Sequence, residues 1–65
     1  MKTYTLVKYG RRDGEVTGDL NYLKDYFGIK KTTTITALVN KVQKQYDERE
    51  AACYNRTFIK LKKEE

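Results

Sequence analysis

Apolar positions along this chain change period twice, from strand to helix and back. Thr3-Tyr4-Thr5-Leu6-Val7-Lys8-Tyr9 is dense in β-branched and aromatic residues and reads as a strand. Leu20, Leu23 and Phe27 then recur at helical spacing, which predicts a first helix over about 19–27. Ile35, Leu38, Val39, Val42 and Tyr46 fall at i, i+3, i+4, i+7 and i+11, a clear amphipathic face. This second helix is predicted to continue to Ala51 or Ala52, with Lys41, Lys44, Asp47 and Glu48 on its solvated side. From Arg56 to Lys62 the pattern alternates with period two, giving a last strand.

The residues between these segments punctuate them. Asp13-Gly14, after Arg12, signals a two-residue hairpin turn, because both positions tolerate positive φ, and Gly10 can hold a bulge. Glu15-Val16-Thr17 is then a short return strand or an extended lead into the first helix. Thr17 or Asp19 caps that helix, Gly28 suits a left-handed C-cap, and Ile29 suits the apolar partner of a Schellman motif. Thr33 or Thr34 caps the second helix, and Lys63-Glu64-Glu65 is expected to fray.

The expected fold is α+β: one small domain over 1–65, β-(β)-α-α-β, with two helices packed on one face of a short antiparallel sheet. Thr57, Ile59 and Leu61 should face the helices, and Phe58, Lys60 and Lys62 the other side. In the first strand both Tyr4/Leu6/Lys8 and Thr5/Val7/Tyr9 are partly apolar, so the pattern leaves open which set is buried.

Composition narrows the chemistry. Sixty-five residues form a single domain, and one this small buries only about 60% of its unfolded surface. A lone Cys53 excludes an intramolecular disulfide, and the absence of His excludes a Cys/His zinc site within one protomer. Packing of six Tyr and two Phe, or a homodimer, is left to supply the stability. No cofactor, metal or catalytic residue is implied. Cys53 has no His to activate it and, seven residues beyond Tyr46, reads as a buried structural thiol; Asp47, Glu48 and Glu50 do not form a facing catalytic pair. No run approaches the ~20 apolar residues of a membrane span, and the first residues do not resemble a signal peptide. The reading is therefore a cytoplasmic binding module rather than an enzyme.

Fourteen Lys and Arg against nine Asp and Glu give a net charge of +5 and a pI near 9.4. This balance favours an acidic partner, whether nucleic acid, an anionic protein surface or anionic lipid, although the same charge also keeps a small domain soluble. The candidate nucleic-acid-binding set is Lys8, Tyr9, Arg11, Arg12, Phe58, Lys60 and Lys62. Aromatic rings on a sheet face stack unpaired bases while Lys and Arg hold phosphates, which favours RNA or single strands. The competing readings are that the rings are packing or a dimer seam, that the lysines guard an edge strand, and that Arg11-Arg12 is only a polar hairpin tip. Lys30-Lys31 carries the same ambiguity. Gly28-Ile29-Lys30-Lys31-Thr32 lacks the upstream Gly of a phosphate-binding loop.

Three stretches, 8–16, 18–27 and 34–54, resemble small accessory proteins of tailed bacteriophages. These include Lys8-Tyr9-Gly10-Arg11-Arg12-Asp13-Gly14, Gly18-Asp19-Leu20 through Tyr26-Phe27, and Thr34-Ile35 through Ala51-Ala52-Cys53-Tyr54. An aromatic, Gly-containing segment that such proteins often carry between the helices is shortened here. The resemblance implies no catalytic residues. It implies a phage protein acting on a host or phage component in the bacterial cytoplasm, with counter-defence as one role. Two mechanisms fit: binding nucleic acid, or capping an acidic host protein. A ribbon–helix–helix DNA-binding dimer shares the strand–helix–helix order, but the hairpin and the last strand depart from it.

Overall fold

The computed structural model describes residues 2–65. It has β1 (Tyr4–Tyr9), β2 (Gly14–Gly18), α1 (Leu20–Phe27), α2 (Ile35–Arg49) and β3 (Phe58–Glu64), in the expected β-β-α-α-β order. The strands form one antiparallel sheet in the order β2-β1-β3. β1 is central, so neither of its edges is free to pair with a second copy in the manner of a ribbon–helix–helix dimer.

Register settles which side of β1 is buried. Leu6 lies opposite Val16 of β2 and Leu61 of β3, so one apolar row crosses the sheet beneath the helices. Tyr4 and Leu6 join Val16, Leu23, Leu38, Val42, Tyr46 and Ile59 in the core. Thr57, Ile59 and Leu61 are on the core side, as their alternation predicts; Thr57 and Ile59 are buried and Leu61 is packed at the margin. Thr5, Val7 and Tyr9 are left on the outer face. Between Leu61 and Lys63 the register slips by one residue, so Lys62 is the extra residue of a bulge against β1.

The helix termini are local designs. Asp19 accepts the Tyr22 N–H at 2.7 Å, and Thr34 accepts that of Ala37 at 3.3 Å. Gly28 adopts φ 68°, with its N–H on Asp25 and that of Ile29 on Lys24, the paired bonds of a Schellman motif.

Four expectations are corrected. The hairpin does not turn on Asp13-Gly14: Lys8 pairs with Gly14, residues 10–13 connect the strands, and of residues 9–14 only Gly10 and Gly14 take positive φ. The loop lies against the residues leading into β3, with the Arg11 N–H on the Arg56 carbonyl at 3.4 Å. α2 ends at Arg49, short of Ala51, because Glu50 leaves helical geometry as the C-cap. Cys53 therefore lies beyond the helix, half-buried, with its sulfur accepting from the Arg11 guanidinium. The C-terminus is held in the sheet, where Thr3 and Glu65 exchange backbone hydrogen bonds of 2.5 and 2.7 Å. No helix among the described residues is long and apolar enough to cross a membrane.

Candidate functional site

On the outer sheet face Tyr9 and Phe58 are directly opposite across the β1–β3 ladder. Their rings stack with centroids 5.7 Å apart and planes 27° apart, within the range where offset pairs attract. Both remain about half exposed, at 48% and 45%. Beside them Val7, Tyr9, Lys60, Leu61 and Lys62 line a shallow depression. Lys60 projects next to Val7 in register and has no carboxylate partner among the described residues. Lys62 reaches across β1 to Glu15, whose carboxylate accepts from its ammonium at 2.7 Å. Both side chains are about half exposed, and a pair of this kind contributes at most about 1 kcal/mol. It still cancels the charge of Lys62 beside the aromatic pair.

The arginines and Lys8 are elsewhere. Arg11 turns inward from the loop: its Nε lies 3.4 Å from Glu50 Oε2, and its guanidinium also donates to Cys53. Glu50 in turn accepts the Thr57 backbone N–H at 2.9 Å and the Thr57 hydroxyl at 3.2 Å. Burial by itself would raise the Glu50 carboxyl, but the two Thr57 hydrogen bonds and the charges of Arg11 and Arg12 outweigh it. The carboxyl is thus held below its ordinary value. Arg11 accordingly stitches the hairpin loop to the end of α2 and the start of β3.

Arg12, adjacent in sequence, goes a different way, to lie over the ring of Tyr46 with its carbon 6.0 Å from the centroid. Lys8 alternates with Val7 and Tyr9 and so points to the helix side. With Arg12 it lines a cleft where the end of β1, the hairpin loop, α1 and α2 meet. The seven candidate residues therefore divide into three groups: Tyr9, Phe58, Lys60 and Lys62 on the outer face, Arg11 in a structural network, and Lys8 with Arg12 in the cleft.

Three further participants escaped the sequence reading. Glu15 is the counter-ion of Lys62, and its alternation with buried Val16 was the available signal. Arg49 lines the cleft with Lys8 and Arg12; three residues beyond Tyr46, it falls on the same helical flank. Tyr26 lines it too, more than half exposed, and nothing local marks it, since it falls outside the Leu20–Leu23–Phe27 stripe. Of Lys30-Lys31, the second contributes its carbonyl, which accepts from the buried Lys24 ammonium.

Protein-family models yield no match to this chain, and neither curated proteins nor solved structures show a significant similarity to it.

Proposed function

We propose that this domain is a non-enzymatic module that binds single-stranded nucleic acid, RNA foremost, on the outer face of its sheet. The observation that carries the reading is the half-exposed Tyr9–Phe58 pair beside the unpaired Lys60. Two rings held in register by the β1–β3 ladder offer a preformed platform for unpaired bases, each stacked base contributing about 1–3 kcal/mol. Lys60 meets the phosphate that follows, and Lys62 joins it when a phosphate displaces Glu15. Duplexes, whose bases are already stacked and paired, present no ring faces to such a platform. A phage accessory role in the bacterial cytoplasm, including counter-defence, is the setting the sequence resemblance suggests.

A second reading, a docking surface for a host protein, draws on the Lys62–Glu15 pair, which lowers the charge of the face while leaving its aromatic centre intact. The two separate in a fluorescence-anisotropy titration of labelled single-stranded RNA, duplex RNA and duplex DNA across salt. Nucleic-acid binding predicts a preference for the single strand and an affinity that falls as salt rises. Equal, negligible signals for all three ligands at low salt would exclude it and leave the protein partner.

A further inference from the structure

The cleft on the helix side of the sheet is a different kind of surface. Lys8 comes to it from β1, Arg12 from the hairpin loop and Arg49 from the last turn of α2, with Tyr26, Gln45 and Tyr46 also in the lining. None of these three cations has a salt-bridge partner among the described residues, and no carboxylate lines the cleft. Glu50 feels the charge of Arg12, but its oxygens already serve Thr57 and Arg11.

The walls are fixed. Arg12 rests over the Tyr46 ring, a cation–π arrangement that favours one placement of the guanidinium. Gln45 donates to the Phe27 carbonyl at 3.3 Å, joining the end of α1 to α2 across the cleft. Three like charges drawn together from separate elements repel one another, and no carboxylate in the cleft lining offsets that repulsion.

From this convergence we infer that the cleft is an anion site for a phosphoryl group, separate from the outer-face platform. Two guanidinium forks match the paired oxygens of a phosphate, and Lys8 adds a point charge. Tyr26, exposed at the cleft, offers a ring face to a base carried on that phosphate. The group can come from a free pyrophosphate or nucleotide, or from the 5′ end of a phosphorylated strand.

The test is an NMR titration of the intact chain with inorganic pyrophosphate, repeated with a matched pair of short oligonucleotides bearing a 5′-phosphate or a 5′-hydroxyl. Saturable shifts centred on Lys8, Arg12 and Arg49 are expected with pyrophosphate, and Arg49→Gln should weaken its binding roughly tenfold, the loss of one charge-assisted contact. Lys44→Gln, which removes an equal charge from the side of α2 turned away from Gln45, Tyr46 and Arg49, should leave it unchanged. Tighter binding of the phosphorylated strand than of the hydroxyl strand would assign the group to strand ends, whereas equal binding beside a pyrophosphate response would assign it to small phosphates. Arg49 is exposed and makes no ion pair, so its variant tests the site without depending on the fold; circular dichroism confirms this. Absence of saturable shifts with pyrophosphate, or equal losses in Arg49→Gln and Lys44→Gln, would overturn the assignment. Because pyrophosphate has no base to stack, its failure is distinguishable from failure of the strand-binding reading.

Discussion

The side-chain carbonyl of Gln43 accepts the backbone N–H of Ile59 at 2.9 Å, so a helix supplies what a neighbouring strand would otherwise give. The same side chain donates to the Thr57 carbonyl at 3.1 Å. Together with Glu50 it covers the first part of the β3 edge, the portion nearest the core. Gln43→Ala should therefore destabilise the domain by about 1–2 kcal/mol through unsatisfied backbone groups. It should also raise the tendency to associate, since an uncovered edge pairs with other chains. Urea denaturation measures the first effect, and sedimentation at increasing concentration the second.

Acid should loosen the same region. The Glu50 carboxyl titrates below its ordinary value in the folded chain, so its contribution is complete above the unfolded value, about pH 4.3, and is lost as pH falls through the lower folded value. Glu50→Gln removes that titration. The stability gap between wild type and Glu50→Gln, read from urea curves, should be wide at neutral pH and shrink in strong acid. A gap independent of pH would show that the Glu50 charge does not hold Thr57.

Two glycines with positive φ should differ in their tolerance of a methyl group. At Gly10, φ is 99° and an added Cβ would run into the Arg56 carbonyl oxygen; at Gly28, φ is 68° and nothing lies within 4 Å. Gly28→Ala is expected to cost about 1 kcal/mol, the left-handed penalty alone. Gly10→Ala should cost clearly more, because it also pushes the hairpin loop away from β3. Thermal melts of the two variants give the comparison directly.

Elements whose cause is local were legible in the sequence. Asp19, Thr34, Gly28 and Ile29 act through neighbours within five residues, and the Leu38–Val42–Tyr46 stripe follows from helical period alone. Features set by distant partners were not. The buried side of β1 depends on Leu6 meeting Leu61 and Val16, while its own two faces are nearly equal in apolarity. Lys24, a charged residue beside the Leu20–Leu23–Phe27 stripe, is buried because the Lys31 carbonyl is there to receive it. The candidate site divided for the same reason. Arg11 and Arg12 look equivalent as a pair on a turn, but Glu50 draws one inward and Tyr46 holds the other. The outer-face placement of Phe58 and Lys60 was readable because strand alternation alone decides it.

Glu15 provides a gain-of-function prediction. It neutralises Lys62 on the outer face, so Glu15→Gln should free that ammonium and tighten single-strand binding several-fold, with a steeper salt dependence from the added phosphate contact. Anisotropy at two salt concentrations reads both changes. Weakened binding would mean that Glu15 itself contacts the ligand.

The most direct test of the outer face compares wild type with Tyr9→Ala and Phe58→Ala for binding short single-stranded RNA at fixed, moderate salt, with folding of each variant checked by circular dichroism. Loss of one stacking ring should weaken binding about tenfold in each variant, a stacked base being worth about 1–3 kcal/mol, while the fold persists because both rings are half exposed. Undiminished affinity in both folded variants would contradict the platform and remove nucleic acid from this face of the sheet.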